Sequence, residues 1–280
     1  LSYNYKGTWY TSMMAVLAEE GVDQSISYDF VGARSLQELP LQSMVEEAVF
    51  KATATLKPSP FETKKMSAVL YRDASAMILE AFSPIFLGDS LVKDRTFLKG
   101  KEGSEVFSKK LTIIDDGTLK GGFMSLPVDA EGHTTQRKPI VEGGVFKGFL
   151  HSTYTAIKSG EAPTGNSIRD SFRSLPVSGI TNLYIQPGKT SLEDMLQGEV
   201  FLITDLMGLH TVDPISGDFS LGASGIIYEG GKKKKSVRGV VIGGNIKELW
   251  SSVVEVGADL KFYGNVGSPS LYIENITVGG

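Results

Sequence analysis

Histidine is the scarcest chemically useful residue in this chain of 280 residues, which holds only His133, His151 and His210 and no cysteine. No two of the histidines have the spacing of a metal-binding motif, and thiolate nucleophiles and cysteine-based metal sites are excluded. A lone histidine is most often a satisfied polar contact. A metal site would need all three histidines to converge with a carboxylate, which the sequence neither predicts nor excludes.

Serine chemistry and phosphate binding have weaker signals still. The segment 222–225 reads Gly-Ala-Ser-Gly and does not match the motif of a nucleophile elbow. His210 and Asp213 resemble part of a catalytic triad only weakly. The paired glycines lack the spacing that cradles phosphate, so we interpret them as turns of a β-rich region. The lysine run 232–235 follows Gly230-Gly231 and predicts a solvated hairpin tip.

Two long polar loops are the better candidates for a binding surface. The first, 155–173, contains Thr164, Gly165, Asn166 and Arg169, and the second, 206–225, contains His210. Ordering such loops is costly, so a role in holding a ligand is plausible. We expect these five residues to line a peptide channel or a subunit interface, against the alternative that both loops are ordinary surface.

The elements that would position these loops follow from hydrophobic periodicity. Two strands over 9–18 and 25–33 and an amphipathic helix over 41–56 are predicted, and the proline pair at 58 and 60 ends this portion. A strand over 65–71 and a helix over 73–82, capped by Asp73 or Ser75, come next. Short strands and glycine turns dominate from about residue 111, interrupted by helices over 192–196 and 246–256.

This pattern predicts an α+β fold. Residues 1–60 would form a small strand-strand-helix portion, and residues 61–280 a β-rich, antiparallel domain with barrel-like or sandwich-like curvature. The chain starts at Leu1 rather than Met, so we expect its natural N-terminus to lie upstream.

Composition narrows the classes of partner. The formal net charge is −4, so the global basic field of a nucleic-acid-binding protein is missing. No apolar run is long enough to span a membrane. The absence of cysteine fits a reducing compartment, and we expect a cytoplasmic protein.

Three long segments, in order along the chain, closely resemble the TldD/PmbA metalloprotease family, whose PmbA arm was formerly called modulator of DNA gyrase. They read EGHTTQRKPIVEGGVFKGFLHSTYTAIKSGEAPTGN at 131–166, TNLYIQPGKTSLEDML at 181–196 and DLMGLHTVDPISGDFSLGASG at 205–225, and the closing motifs GGN, GSPSL and TVGG match as well. The resemblance covers nearly the whole chain. It implies a further N-terminal α/β domain, which we expect to have been lost or removed from this chain.

One departure from the family pattern decides which arm the resemblance implies. The TldD-type subunit binds zinc through an HExxxH helix and a cysteine, but the corresponding segment here keeps only the glutamate, as Glu80, with Leu79 and Pro84 at the histidine positions. Neither side chain can donate a lone pair to zinc. The resemblance therefore implies a PmbA (TldE-like) subunit without a cofactor of its own.

Such a subunit would pair with a zinc-bearing TldD-type partner and act on extended, unfolded or modified peptides, and a homodimer is also possible. Two alternatives stay open. The chain could cleave peptides by itself through a metal site built on the three histidines, or it could be a regulator that binds a peptide or protein without proteolysis.

Overall fold

The computed structural model describes residues 4–280, so the first three residues of the predicted portion 1–60 lie outside the described residues. The strands and helices, in chain order, are β1 (Tyr10–Glu20), β2 (Asp23–Ala33), α1 (Leu41–Ala54), β3 (Lys64–Leu70), α2 (Arg72–Phe82), α3 (Gly88–Val92), β4 (Ile113–Asp116), β5 (Arg137–Glu142), β6 (Val145–Phe146), α4 (Thr153–Ser159), β7 (Ser167–Ile168), β8 (Val177–Ser178), β9 (Leu183–Ile185), α5 (Leu192–Met195), β10 (Val200–Met207), β11 (Asp218–Glu229), β12 (Lys232–Asn245), α6 (Ile246–Ser251), β13 (Val253–Val256), β14 (Lys261–Tyr263), β15 (Val266–Ser268) and β16 (Leu271–Gly279).

The first portion is a long antiparallel hairpin of β1 and β2, with α1 packed against one of its faces. Gly21 adopts a positive φ of 67° in the turn, a conformation that favours glycine. Polar and apolar residues alternate along β2, which buries Ser25, Asp29, Val31 and Ala33. The predicted strand-strand-helix portion is confirmed.

Five strands of the larger region close into a barrel. They follow the order β12, β11, β10, β3 and β16, and a further pairing of β16 with β12 closes the ring, while β13 pairs with β16 outside it. Alternation along β3 and β10 directs Ala68, Leu70, Phe201 and Ile203 into the main core. The intervening residues face a smaller cluster that includes Met195 of α5.

A second sheet, in the order β14, β15, β9, β4, β5 and β6, lies beside the barrel. Most pairs in both sheets are antiparallel, but β3 with β10 and β9 with β15 are parallel. The predicted α+β class with a barrel-like, largely antiparallel region is confirmed. The boundary at residues 60 and 61 stays a prediction.

Two details of the sequence interpretation are wrong. The helix predicted over 246–256 ends at Ser251, because the β-branched segment Val253–Val256 forms strand β13 against β16 instead. The predicted cap of α2 is also wrong, since Tyr71 precedes the helix and makes no side-chain capping bond. Asp73 is used in a buried ion pair with Lys51.

Within residues 4–280, the helices are too short or too polar for any of them to cross a membrane.

Candidate functional site

Helix α2 is the central helix of the molecule and packs against both sheets through the strands β3, β10, β14 and β15. Ala74, Ile78 and Phe82 recur at a spacing of four residues and form its buried stripe. Pro84 cannot continue the α-helical hydrogen-bond pattern, and the chain passes into a 3-10 turn over Ser83–Phe86.

The three residues that the resemblance aligns with the family's zinc helix lie in different environments. Leu79 is completely buried in the hydrophobic core, and Pro84 lies in the 3-10 turn that follows the helix. Glu80 is exposed and lies at the lining of a cavity. A hydrocarbon packed in the core and a pyrrolidine ring offer zinc no ligand, so this helix does not fit the family's three-ligand zinc site.

The cavity beside α2 has a volume of about 360 Å³. It lies between β2, α1, α2 and the turn that joins β14 to β15. Its lining combines charged, polar and aromatic side chains and includes Tyr28, Asp29, Phe30, Lys51, Asp73, Met77, Glu80, Phe123, Tyr263 and Asn265. The hairpin portion and the β-rich region therefore both contribute walls.

A buried ionic cluster forms the floor of this cavity. Lys51 donates a hydrogen bond to Asp73, and its Nζ lies 3.6 Å from Oδ1 of Asp29. Lys261 donates to the other oxygen of Asp29. Burial raises the pKa of Asp73, and the neighbouring Lys51 ammonium opposes that rise. The pairing allows these charges to persist in a buried environment.

Three polar groups of residues that line the cavity have no hydrogen-bond partner within the described part of the chain. Glu80 has no hydrogen-bond or ion-pair partner among the described residues, and burial raises the pKa of its carboxyl group. Oδ1 of Asp29 and the hydroxyl of Tyr263 are buried without a hydrogen-bond partner in the described part of the chain. Burial also raises the pKa of Tyr263.

The three histidines make different contacts within the protein. Nε2 of His133 is 2.8 Å from the hydroxyl of Thr153, and Nδ1 of the buried His151 is 3.2 Å from the hydroxyl of Thr155. Burial lowers the pKa of His151. His210 lies on an exposed 3-10 turn that packs against α2. Residues 4–280 contain no group of three histidine or carboxylate side chains placed to hold a metal ion.

The predicted residues Thr164, Gly165 and Asn166 lie together in a buried hydrogen-bond network. Nδ2 of Asn166 donates to Asp115 Oδ2 at 2.8 Å and to the Gly179 carbonyl at 3.0 Å, and the Thr164 hydroxyl donates to Asn166 Oδ1. Gly165 has a positive φ of 71°, where a Cβ would approach the neighbouring backbone to 2.3 Å. Their contacts are with the protein itself.

Arg169 and His210 lie outside this network. The Arg169 guanidinium donates to the carbonyl of Ser174 at 3.1 Å within an exposed loop. Both side chains are therefore at the surface, where a peptide or a second subunit could reach them. Their predicted role in binding stays a prediction.

A larger open groove of about 1140 Å³ runs beside α4, and both His151 and Thr164 contribute to its lining. The hydrogen bonds of these two residues are made within the protein. The charged side chains of its rim are mostly exposed lysines and glutamates. We therefore take the smaller cavity at α2, whose charges are buried, as the candidate site.

Apart from Glu80, the residues of this cavity were missed as site residues, although Lys51 carried a signal, since it falls on the apolar stripe of α1 beside Ala48 and Ala52. Asp29 carried none, because it lies on the polar face of β2, and only the structure shows that this face is buried. A charged residue at a core position indicates a buried partner or a site.

The family of this chain follows from its similarity to known proteins. The model of the PmbA/TldA metallopeptidase C-terminal domain matches residues 63–280. The chain belongs to the PmbA/TldD metallopeptidase family. It is 28% identical to the metalloprotease PmbA of Escherichia coli O157:H7 over 99% of its own length, and 29% identical to a metalloprotease TldD homologue of Buchnera aphidicola over 88%.

A solved structure of TldE from Thermococcus kodakarensis superposes with a TM-score of 0.86 at 28% identity and covers 96% of this chain. The chain spans 60% of the E. coli protein, 54% of the Buchnera protein and 63% of the TldE chain. The predicted family resemblance is confirmed, and the fold is that of the PmbA/TldE-like members of the family.

Proposed function

We propose that this chain is part of a PmbA/TldE-like subunit that pairs with a zinc-bearing, TldD-type metallopeptidase subunit and does not itself carry the zinc. The proposal rests on two side chains of α2 and the turn that follows it. The resemblance assigns the two histidine positions to Leu79, which is packed in the core, and to Pro84, which lies in the turn after the helix. Zinc would then be supplied by the partner, and the complex would act in the cytoplasm.

The substrate of the pair would be an extended peptide. Extended peptides bind by adding a strand to an open sheet edge, where backbone hydrogen bonds give affinity without strict sequence choice. Strand β1 has eleven residues and pairs only with β2 among the strands of residues 4–280. Its outer edge has no strand partner among these residues, and the exposed apolar residues Met13, Leu17 and Ile26 lie on the same hairpin.

The proposal gives the two portions different roles. Residues 1–60 would contribute the open edge, and residues 61–280 the wall formed by the barrel and the second sheet. The buried ion pairs Lys51–Asp73 and Lys261–Asp29 join α1 and β2 of the first portion to the second.

The first experiment measures zinc per chain by elemental mass spectrometry on protein purified without chelator, followed by a peptide-cleavage assay with and without a TldD-type subunit from the same source. We expect near-zero zinc and no cleavage by this chain alone, and cleavage by the pair. About one zinc per chain together with cleavage by the chain alone would overturn the proposal and favour an autonomous peptidase. Peptide binding with no cleavage in either case would favour a regulator.

A second experiment tests the predicted binding residues at the surface. Arg169→Ala and His210→Ala should weaken assembly or slow peptide cleavage by the pair, because both side chains are accessible. Asn166→Ala is a poor test of binding, since its side chain is completely buried. Unchanged assembly and unchanged cleavage in both surface variants would remove these residues from the channel.

A further inference from the structure

Strand β1 offers a row of backbone groups to a second chain segment. Among the strands of residues 4–280 it pairs only with β2, from Tyr10 opposite Ala33 to Glu20 opposite Asp23. Its other edge therefore presents N–H and C=O groups at the regular spacing of a strand. Such an edge accepts an extended backbone, which could run beside β1 along its eleven residues.

The contacts of β2 and α1 show which side of the hairpin is open. Strand β2 contacts β14, while Glu47 and Lys51 of α1 form ion pairs with Arg72 and Asp73 of α2. All of these partners belong to the region that follows residue 60. The edge of β1 and the opposite side of α1 therefore both face away from that region.

This opposite side of α1 carries an apolar stripe. Val45 and Val49 precede Glu47 and Lys51 by two positions, which is a rotation of about 200° around the helix. Leu41 continues the stripe at the same spacing, and all three apolar side chains are exposed. The solvent side of a surface helix is normally polar, so a repeated apolar stripe beside an open strand edge indicates a segment that covers it.

We propose that the edge of β1 and the stripe of α1 bind one extended peptide segment that carries an apolar residue at every second position. These apolar side chains would lie against the stripe and beside Met14 and Val16, which are on the face of β1 that α1 covers. The intervening side chains would stay accessible, because Met13 and Leu17 on the other face are exposed. This preference rests on the proposed function, which places an extended peptide at this edge, and adds a sequence requirement to it.

The test is fluorescence anisotropy of the chain alone with labelled nine-residue peptides. In the first peptide threonine alternates with valine and leucine between two terminal lysines, and the second has the same composition with its apolar residues in one block. We expect saturable binding of the alternating peptide and about fivefold weaker binding of the block peptide, because only the first can place every apolar residue against α1.

The outcomes separate this preference from the proposed function. Equal affinity for the two peptides would overturn the preference and leave the edge of β1 as a peptide site. No saturable binding of either peptide would overturn the preference and remove the edge from the proposed function. Neither result depends on zinc or on a second subunit, which the elemental analysis and the cleavage assay measure separately.

Two N-methylated forms of the alternating peptide test the pairing of backbones. One carries the methyl group on the nitrogen of its central leucine, and the other on the nitrogen of the adjacent threonine. Adjacent N–H groups of an extended segment point to opposite edges, so only one of the two methyl groups would face β1. We expect one form to bind about tenfold more weakly than the other. Equal affinities would contradict the addition of a strand to β1.

A double variant locates the binding beside α1. Val45→Thr combined with Val49→Thr keeps the shape of two exposed side chains and should weaken binding of the alternating peptide about fivefold, because each change removes an apolar contact. Val22→Thr is the matched control, since Val22 is exposed in the turn between β1 and β2. Unchanged affinity in the double variant, or the same loss in Val22→Thr, would contradict the assignment.

Discussion

Asp115 and Asp29 are both almost completely buried, and they differ in how far the protein satisfies them. Asp115 accepts hydrogen bonds from the backbone and hydroxyl of Thr181 at 2.6 and 2.8 Å and from Asn166 at 2.8 Å, and Lys138 approaches to 3.4 Å. Both of its oxygens are occupied. No cavity is needed to explain this cluster, which ties together β4 and the loops at 166 and 181.

Asp29 is the contrasting case. Lys261 occupies one of its oxygens, while Oδ1 faces Lys51 at 3.6 Å without a hydrogen bond, at the wall of a cavity. The comparison separates a closed polar network, in which both carboxylate oxygens are satisfied, from an open one, which leaves a buried acceptor unpaired. The polar loop at 164–166 belongs to the closed type, and the ion-pair cluster beside α2 to the open type.

The largest effect should come from removing the centre of the closed network. Asp115→Ala leaves the donors of Thr181, Asn166 and Lys138 without their acceptor in a buried region. We expect a loss of about 3 to 5 kcal/mol in the free energy of unfolding, measured by urea denaturation. Asp170→Ala, at an exposed position, is the control. A loss below about 1 kcal/mol in Asp115→Ala would show that the network is not essential for stability.

The next prediction compares the stability effects of Asn166 and Arg169, which the sequence analysis placed in one candidate loop, 155–173. Asn166→Ala removes a donor from Asp115 and from the Gly179 carbonyl, so the free energy of unfolding should fall by about 1 to 3 kcal/mol. Arg169→Ala, at the surface, should change it by less than about 0.5 kcal/mol. Equal destabilisation by both variants would contradict the distinction between a structural and an accessible end.

The fold was predictable wherever a local pattern and its tertiary partner agree. Aromatic and apolar content predicted β1, alternation predicted β2 and a helical stripe predicted α1, and the helix packs against both strands. The helix predicted over 246–256 was wrong in its second half. This valine-rich half pairs as a strand with β16, which lies twenty residues further along the chain. Local periodicity does not reveal such a partner.

The site was less predictable, and the reason is physical. Asn166 occurs in a run of polar residues that is typical of a surface loop, yet its carboxylate partner, Asp115, lies 51 residues earlier. The cavity at α2 likewise combines residues 28–30, 51, 73–80 and 263–266. Family resemblance identified α2 as the place to look, but only the three-dimensional arrangement showed that Glu80 and Asp29 line the same cavity.

A smaller effect concerns the dependence of stability on pH near the closed network. Burial lowers the pKa of His151 in the folded chain, so the unfolded state binds more protons between the two pKa values. The contribution of this residue is complete above its ordinary pKa of about 6.5 and declines as pH falls below it. The free energy of unfolding should therefore decrease between pH 7 and pH 5.

The measurement is a set of urea titrations across that range, repeated with His151→Gln. The variant should show a shallower decline with falling pH, although its overall stability is lower because the hydrogen bond to Thr155 changes. His210→Gln, on an exposed turn, should retain the slope of the parent chain. An identical slope in the parent chain and in His151→Gln would contradict the prediction.

The smallest expected effect on stability lies in the open cavity. Burial raises the pKa of Glu80 in the folded chain, so its charged form opposes folding, and the opposition grows as pH rises from the unfolded value of about 4.5 through the folded one. Glu80→Gln should therefore increase the free energy of unfolding at pH 7 by a few tenths of a kcal/mol and leave it nearly unchanged at pH 4. Chemical denaturation at the two pH values measures this difference. A gain of stability at pH 7 would identify a carboxylate that folding does not require, whereas loss of stability at pH 7 would place Glu80 with Asp115, among the groups that hold the fold together.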